Sequence, residues 1–330
     1  MKARRRPSKI ESKRKPAPAA RTLVLGVDGG GSKTRAVVAD AAGAVLGAGL
    51  AGPSNPLRVG VSAAAVAVRE ATDRACAEAG VRRMELVAAE VGLAGVRRAD
   101  IRERMRSALT GLGIETVEVV TDSDIALYGA TDGKPGLVII AGTGSICCGV
   151  NARGRRACAG GWGPVVGDEG SGSWIARRAL QAVAWMTDGR GRKTSLAEAA
   201  CEYFNVANAE DLSTAVYAPN VTNARIAGFG RRVIEVARRR DVVAREIVEG
   251  AGRELARAAV AVIRKLKMER ERFHVAYVGG VFAAGDMILE PLGEEVRRVA
   301  PRAFIAPPVL APAEAAARMA GEQSQLALAG

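Results

Sequence analysis

Apolar positions and turn residues follow the same order in two separate stretches of the chain. The stretch from Leu23, LVLGVDGGGSKTRAVVADAAGAVLGAGLAG, predicts a strand, a glycine turn, a second strand, another turn and a third strand. About 114 residues later, from Leu137, the stretch LVIIAGTGSICCGVNARGRRACAGG shows the same order. An internal repeat of this kind predicts two homologous lobes.

Between the two repeats, the spacing of apolar residues alternates between the helical and the strand period. It predicts helices near residues 62–79 and 100–112, and strands near residues 86–92 and 117–121. Three antiparallel strands followed by helix and strand units predict an α/β protein whose mixed sheets are covered by helices.

The second half of the chain is predicted to be mostly helical from residue 170 to residue 267, before a buried strand at 273–278. The D-G-K-P segment at 132–135 interrupts the pattern, so we expect the hinge between the lobes there. We expect a final helix at 313–327, which could pack back on the first lobe. The predicted division is a basic tail at 1–21, an N-terminal lobe at 22–133 and a C-terminal lobe at 134–312.

The amino-acid composition indicates the class of protein. The chain has 330 residues, of which 48% are hydrophobic and 25% charged, as in soluble globular proteins. No apolar run approaches the roughly 18 residues that a membrane span needs, so we expect no membrane partner.

The net charge of +13 is concentrated at the start of the chain. Residues 1–21 hold nine Lys or Arg and one acid, and the rest of the chain carries only +5. With three prolines and almost no apolar residues, this segment is predicted to be a solvated arm without the apolar core of a secretory signal. It is too short for a helix-turn-helix domain, so we expect no specific nucleic-acid partner.

The number and spacing of the cysteines and histidines argue against several kinds of disulfide and metal site. The five cysteines are scattered without a C-x-x-C pair, which argues against a disulfide framework or a zinc cage and fits a reduced cytoplasm. The single histidine, His274, excludes an H-E-x-x-H zinc site, and its place at the start of a predicted buried strand favours a structural role.

Two glycine turns in matching places of the repeat have the form of phosphate cradles. Asp28-Gly29-Gly30-Gly31-Ser32-Lys33-Thr34 joins two strands, and its glycines let main-chain N–H groups approach an anion. It does not satisfy the Walker A pattern. Asp28, at the strand end, could hold a hydrated Mg²⁺. Paired with Gly142-Thr143-Gly144-Ser145 in the second lobe, the turn predicts a nucleotide clamped between the lobes.

Two further glycine-rich segments are candidates for ligand contact. Val278-Gly279-Gly280-Val281 follows a strand and should open a helix; it fits either nucleotide contact or a tight turn. The segment from Gly160 to Ser171, GGWGPVVGDEGS, surrounds one tryptophan and two adjacent acids with glycines. We interpret it as a loop that wraps a small polar ligand, because a helix cap alone would explain none of the glycines.

Two polar residues have both a functional and a structural interpretation. Asp122 ends a predicted strand, where a carboxylate can serve as general base or can cap the next helix beside Asp124. Asn55, in Pro53-Ser54-Asn55-Pro56, could hydrogen-bond a ligand or simply form the turn before proline.

Taken in order and spacing, these motifs resemble a known family. D-G-G-G-S-K-T, T-D, A-G-T-G-S, G-G-W-G-P-V-V-G-D-E-G-S and V-G-G-V-F resemble the N-acetylglucosamine kinase branch of the BadF/BadG/BcrA/BcrD ATPase family. The similarity covers about residues 22–311, and the tryptophan motif is its most specific part. The resemblance implies the actin-like fold of sugar kinases and Hsp70, with two ribonuclease-H-like lobes and mixed sheets around an ATP cleft.

The resemblance also implies roles for particular residues. Asp122 would be the catalytic base, and ATP would contact Ser32 with its neighbouring glycines, Thr143 and Gly280. Together with the other residues of the glycine turns, the predicted nucleotide contacts are Gly30, Gly31, Ser32, Lys33, Thr34, Gly142, Thr143, Gly144, Gly279 and Gly280. From its position at the strand end, Asp28 is predicted to hold Mg²⁺ through water. The sugar would contact Asn55, Ser145, Ile146, Gly161, Trp162, Gly163 and Asp168.

The implied reaction is phosphoryl transfer from MgATP to a hydroxyl of an amino sugar such as N-acetylglucosamine, with O6 as the expected position. Glucosamine and N-acetylmuramic acid are alternative substrates, and a homodimer is the assembly expected from relatives. The same family contains ATPases that activate iron–sulfur dehydratases, and this remains an alternative activity. Adjacent Cys147 and Cys148 do not resemble the cluster ligands of those proteins.

Overall fold

The structure, a computed structural model, describes residues 22–329. The basic tail predicted at 1–21 lies outside the described residues. The first half of the chain forms β1 (Leu23–Gly29), β2 (Thr34–Asp40), β3 (Val45–Ala51), α1 (Pro56–Val59), α2 (Val61–Ala79), β4 (Leu86–Leu93), α3 (Ala99–Leu109), β5 (Thr116–Thr121) and α4 (Asp122–Thr131).

The second half repeats the strand pattern and adds a helical insertion. It forms β6 (Gly136–Ala141), β7 (Ser145–Val150), β8 (Arg156–Gly160), α5 (Gly172–Thr187), α6 (Leu196–Phe204), α7 (Leu212–Val216), α8 (Asn223–Arg238), α9 (Val242–Leu266), β9 (His274–Val278), α10 (Asp286–Val299), β10 (Phe304–Ala306) and α11 (Pro312–Ala329).

The two sheets have the same topology, which confirms the predicted repeat and fold class. The first has the order β3-β2-β1-β4-β5 and the second the order β10-β9-β6-β7-β8. In each, the first three strands are antiparallel and the last two run parallel to the first. Because parallel strands end at one edge, the loops after β1, β4 and β5, and after β6 and β9, gather at the same edge of their sheets.

The helix α11 packs back on the first sheet, against β1, β2 and β4, and also contacts α4. Gly26 in β1 permits this packing, since a Cβ there would overlap the backbone of Ala313 and Ala317. The apolar face of α4 packs on the second sheet, where Ala126 and Leu127 form a buried cluster with Val138. The helix that begins with Asp122 is therefore held by both halves of the chain.

One local prediction, that the cysteines form no disulfide, differs from the structure. Cys148 and Cys158 are directly opposite in β7 and β8, with Cα atoms 4.2 Å apart, and form a disulfide pair. Sequence spacing missed this pair because only the register of the hairpin brings the two residues together. The segment after Gly279 opens a helix as predicted; it is a short 3₁₀ helix over 280–284, which ends where Gly285 has φ +64° and ψ −134°.

Candidate active site

The glycine turn after β1 is a tight loop whose tip is exposed. The Gly30 N–H donates to the Lys33 carbonyl over 2.9 Å, and the Ser54 N–H donates to the Gly30 carbonyl over 3.0 Å. Gly31, Ser32 and Lys33 are exposed at the tip. The loop tip thus exposes main-chain N–H groups and one lysine, which an anion could approach.

Thr34 is placed differently from the rest of this loop. Its side chain is fully buried, and its hydroxyl donates over 2.7 Å to the Gly52 carbonyl and shares a hydrogen bond of 2.8 Å with the Ser54 hydroxyl. It holds the base of the loop against the segment that leads to Asn55. Asn55 itself is half-buried and caps α1, with Oδ1 accepting from the Leu57 N–H over 3.0 Å.

Asp28 and Asp122 bring two carboxylates close to each other at the strand ends. Burial raises the pKa of Asp28 above its ordinary value, and the negative charge of Asp122 raises it further, against the opposing effect of Lys33. Burial likewise raises the pKa of Asp122, while its hydrogen bond with the Ser123 N–H lowers it. A cation beside this pair would relieve the repulsion.

Asp122 keeps one carboxylate oxygen free for a ligand. Its Oδ1 accepts from the Ser123 N–H over 2.9 Å, and Oδ2 accepts no hydrogen bond from the described residues. Asp124 is used instead for the helix start, where its Oδ2 accepts from the N–H of Thr121 over 3.1 Å and from its hydroxyl over 2.7 Å. Asp124 also forms an ion pair with Arg156 of β8. Asp124 thus stabilises the start of the helix, and Asp122 keeps a carboxylate oxygen available for a ligand.

The second glycine turn is fastened to the start of α5. The Gly172 N–H donates to the Gly142 carbonyl over 2.8 Å, and the Ser173 hydroxyl donates to the Thr143 carbonyl over 2.6 Å. Thr143 itself is exposed, as a contact to a phosphate requires. The N-terminus of α5 adds a favourable electrostatic environment for an anion at this turn.

Asp168 ties the second glycine turn to the tryptophan loop. Its side chain is only 6% exposed, and its Oδ1 accepts from the Ser145 N–H over 3.2 Å. A Cβ at Gly144 would lie 2.7 Å from Oδ2, so glycine permits this close packing. Burial raises the pKa of Asp168, and the N–H groups of Ser145 and Gly163 lower it. This carboxylate therefore orders both loops.

The third glycine site lies against the second turn. Gly279 has φ +120°, a conformation that L side chains rarely adopt, and a Cβ there would overlap the Ala141 carbonyl. Gly280 is exposed with no atom near its Cβ position. The structure thus brings Gly142, Thr143 and Gly280 together around one cavity of about 280 Å³.

The opposite wall of this cavity comes from α8, which the sequence patterns did not identify. Ala224, Ala227 and Arg231 line it together with Ile175 and Val281. These side chains offer an apolar slot with one cation, as a purine with phosphates requires. The only sequence signal for the slot was the run of small residues in N-A-R-I-A-G-F-G, which lies within an ordinary amphipathic helix.

A second cavity of about 350 Å³ lies beside the tryptophan loop. Ser145, Ile146 and Trp162 line it, with Glu254 and Arg257 of α9 on the other side. Trp162 is 71% exposed, whereas Ile146 is half-buried and lies 3.0 Å from a Cβ position at Gly161. The sequence motifs did not predict Glu254 and Arg257 as part of this cavity.

The residues that the structure describes contain neither a cluster of metal ligands nor a membrane-spanning helix. Within residues 22–329, no three or more His, Cys, Asp or Glu side chains are grouped to hold a metal ion. No helix in that range combines the length and the apolar character that a bilayer crossing needs.

The chain resembles curated sugar kinases along most of its length. It is 34% identical over 259 residues to an N-acetylmuramic acid/N-acetylglucosamine kinase of Clostridium acetobutylicum, covering 78% of this chain and 85% of the relative. It is 30% identical over 310 residues to an N-acetyl-D-glucosamine kinase of Dictyostelium discoideum, covering 90% and 97%.

Solved structures and family models agree with this likeness. A Chromobacterium violaceum protein, described provisionally as an N-acetylglucosamine kinase, superimposes with a TM-score of 0.74 at 28% identity, covering 91% of this chain and 98% of that one. The model of the BadF/BadG/BcrA/BcrD ATPase family matches residues 25–320. The chain therefore belongs to the BadF/BadG/BcrA/BcrD ATPase family.

Proposed function

We propose that this protein is an ATP-dependent kinase that phosphorylates a hydroxyl of an amino sugar. The observation that carries the proposal is the half-buried carboxylate of Asp122, with one oxygen free, at the strand edge that also holds the first glycine turn. The names of the curated relatives support the substrate class, since they act on N-acetylglucosamine and N-acetylmuramic acid.

The nucleotide is assigned to the cavity between the second glycine turn and α8. The purine would occupy the slot beside Ala227 and Val281, and the phosphates would extend past Thr143 toward the first glycine turn. The main-chain N–H groups of the two turns and Lys33 would stabilise the charge of the transferring phosphoryl group. Such reactions depend mainly on alignment and on charge stabilisation.

Asp122 is assigned the role of general base. Its Oδ2 would accept the proton of the acceptor hydroxyl, while the Ser123 N–H holds Oδ1 in place. A raised pKa strengthens a carboxylate as a base, and burial produces that shift at Asp122. We propose O6 of the sugar as the acceptor position.

Magnesium is the cation expected with ATP, and the carboxylates present fit it. Asp28 lies near enough to Asp122 for the charge of Asp122 to raise the pKa of Asp28, and a divalent cation held near these carboxylates would relieve that repulsion. When bound, Mg²⁺ would neutralise charge on the phosphates. Asp28 would hold it through water.

The acceptor sugar is assigned to the cavity beside the tryptophan loop. Asn55, Ser145, Ile146, Gly161, Trp162, Gly163 and Asp168 remain the proposed contacts. Within this set, Asp168 and the Ser145 hydroxyl are already hydrogen-bonded to the protein, the latter to the Glu169 carbonyl over 2.7 Å. We therefore propose that these two residues shape the pocket, while Trp162 and the Nδ2 group of Asn55 face the sugar, since Asn55 Oδ1 already accepts from the Leu57 N–H.

The alternative, an activator of an iron–sulfur enzyme, has less support in this chain. Such a protein needs thiolates presented at a surface, whereas Cys147 is fully buried and Cys148 pairs with Cys158. Burial raises the pKa of the Cys147 thiol, which disfavours the thiolate that a cluster ligand requires. We propose a cytoplasmic location, because ATP is the phosphoryl donor of the proposed reaction. A homodimer remains a prediction.

Coupled ADP release tests the proposal. MgATP is supplied with N-acetylglucosamine, glucosamine, N-acetylmuramic acid, N-acetylmannosamine or glucose in turn. We expect at least one amino sugar to stimulate ADP release, and ³¹P-coupled NMR of the product then identifies the phosphorylated oxygen. ADP release at the same basal rate with every sugar would contradict the kinase assignment.

A further inference from the structure

Arg58 lies against the tip of the first glycine turn, although it belongs to none of the motifs that carry the family resemblance. It is the third residue of α1, the short helix that Asn55 caps. Three atoms of its side chain, Nη1, Cζ and Cδ, lie 3.1, 3.5 and 3.6 Å from the Cβ position of Gly31. The guanidinium group is therefore held beside the exposed turn that we assign to the phosphates of ATP.

Glycine at position 31 leaves room for this arginine. The φ angle of Gly31 lies outside the positive range that favours glycine, so the backbone of the turn does not by itself require glycine there. A Cβ at Gly31 would press on the guanidinium group of Arg58. A Cβ at the neighbouring Gly30, in contrast, would have no atom closer than the Lys33 carbonyl oxygen at 3.6 Å. The missing side chain at position 31 thus permits the close approach of Arg58.

The backbone that carries Arg58 is fixed to the same turn. The Arg58 N–H donates to the Asn55 carbonyl over 2.9 Å, which places Arg58 in one helical turn with Asn55. The residue before Asn55 is tied to the glycine turn, since the Ser54 N–H donates to the Gly30 carbonyl over 3.0 Å. Because the turn and the start of α1 form one unit, a movement of the side chain alone brings Arg58 to an anion at the turn.

The described residues do not neutralise the charge of Arg58. It is exposed and has no carboxylate oxygen within 4.0 Å among residues 22–329. Lys33, the other cation at the tip, acts on Asp28 and lowers its pKa. An unpaired guanidinium beside exposed main-chain N–H groups favours a phosphate ligand, because its planar fork matches two phosphate oxygens.

Arg58 also connects the segments that we assign to the two substrates. Its side chain lies beside the glycine turn, where the phosphates are proposed to bind. Asn55, whose Nδ2 group is proposed to face the sugar, precedes it by three residues in the same helical turn. The group that passes from one substrate to the other is the terminal phosphoryl group of ATP. A cation at this place is therefore suited to that group rather than to the nucleoside.

We propose that Arg58 binds the terminal phosphoryl group of ATP and stabilises it during transfer to the sugar. The proposal rests on the kinase function and adds a residue to its active site. The acceptor oxygen forms a bond to the γ-phosphorus, while the bond from that phosphorus to the β,γ-bridging oxygen breaks and leaves its electron pair on ADP. The hydroxyl proton passes to Asp122. Arg58 exchanges no proton, and its N–H groups donate to the oxygens of the transferring group.

Calorimetric binding of two nucleotides tests this contact directly. The probes are MgADP and the magnesium complex of the β,γ-imido analogue of ATP, which carries one more phosphoryl group and is not hydrolysed. The variants are Arg58→Gln and Arg58→Lys. The control is Arg104→Gln, which removes an exposed arginine of α3 that has no ion pair among the described residues. Circular dichroism and thermal melting check that each variant folds.

We expect Arg58→Gln to bind the imido analogue about tenfold more weakly than wild type and to bind ADP unchanged, because only the analogue loses a charge-assisted hydrogen bond. Arg58→Lys keeps the charge and should lose less affinity for the analogue. Arg104→Gln should match wild type with both nucleotides. Equal weakening of both nucleotides in Arg58→Gln, or a wild-type affinity for the analogue, would overturn the proposal.

Kinetics with the best amino-sugar acceptor provide a second readout. Arg58→Gln should lower kcat about 10²-fold, the cost of removing one donor to a developing charge, and leave the KM of the sugar unchanged. A kcat equal to that of wild type would contradict stabilisation during transfer. If no sugar stimulates ADP release, the kinase assignment fails, and the comparison of the two nucleotides still decides whether Arg58 binds the terminal phosphoryl group.

Discussion

The carboxylate of Asp124 accepts hydrogen bonds from both the N–H and the hydroxyl of Thr121, at 3.1 and 2.7 Å, and so completes, with the N-cap residue Thr121, the capping box of the helix that Asp122 begins. The same side chain pairs with Arg156 in the other half of the chain. Two acids that are nearly equivalent in sequence therefore have different surroundings. One is fixed by the protein, and the other is available to a ligand.

Loss of the Asp124 carboxylate should lower the free energy of unfolding but leave the catalytic activity largely intact. Asp124→Ala leaves the N–H of Thr121 without its partner, and we expect the free energy of unfolding to fall by about 1–2 kcal/mol. Arg156→Gln, which breaks only the exposed ion pair, should lower it by less than about 1 kcal/mol. Urea unfolding followed by circular dichroism measures both. Equal losses in the two variants would show that the ion pair, and not the cap, is the stabilising contact.

The carboxylate of Glu90 should make stability depend on pH. It is fully buried in β4, with Oε2 accepting from the Gln323 side chain over 3.0 Å. Burial, and then the charge of Glu118, raises its pKa from 4.5 to about 7. Because the folded state prefers the protonated form, the stabilising contribution is complete below the unfolded pKa and is lost as pH rises through about 7.

Glu90→Gln should therefore flatten the stability profile between about pH 5 and pH 8 and raise stability at the upper end. The amide retains an oxygen for the hydrogen bond with Gln323. Glu115→Gln, at an exposed position, is the matched control and should leave the profile unchanged. Urea midpoints across this range provide the measurement, and parallel profiles for wild type and Glu90→Gln would contradict the assignment.

Two neighbouring glycines should respond differently to alanine. Gly279→Ala places a Cβ against the Ala141 carbonyl at a backbone φ of +120°, so we expect lost stability and weaker ATP binding. Gly280→Ala has open space and should be tolerated structurally. Thermal melting with and without MgATP compares them. A melting temperature for Gly279→Ala equal to that of wild type would contradict the tight packing seen here.

A substitution in the cavity beside α8 should weaken the binding of ATP and leave the binding of the sugar unchanged. Ala224 is exposed and lines the proposed purine slot, so Ala224→Leu should raise the KM for ATP about tenfold by filling it, with little change in the KM for the sugar. Arg232→Ala on the same helix removes an exposed residue outside the slot and serves as control. Equal changes in both KM values would indicate a general disturbance of the cleft instead.

The sequence predicted the fold well because its information was local and repeated. Strand, glycine turn and strand recur from Leu23 and from Leu137, and the two five-stranded sheets follow that repeat. The glycines at 142 and 279 were recognisable because the end of a strand needs a turn there. Their mutual contact follows from β6 and β9 being parallel neighbours.

Features that depend on distant packing could not be predicted in the same way. Glu254 and Arg257 line the cavity beside Trp162 only because α9 packs against β7 and β8, and neither belongs to a short motif. Nothing in the sequence distinguishes Ala227 from other small residues of an amphipathic helix. Its place in the cavity follows only from the packing of α8 opposite the second glycine turn. The Cys148 and Cys158 pair likewise needs the register of β7 and β8, which spacing along the chain does not reveal.

The central claim, that Asp122 is the base of an amino-sugar kinase, is tested most directly by one pair of variants. Coupled ADP release with MgATP and the best amino-sugar acceptor is measured for wild type, Asp122→Asn and Asp124→Asn, with folding checked by circular dichroism. We expect Asp122→Asn to fold normally and to lose about 10²-fold or more in kcat, while Asp124→Asn keeps most of it. A folded Asp122→Asn with the kcat of wild type would contradict the account.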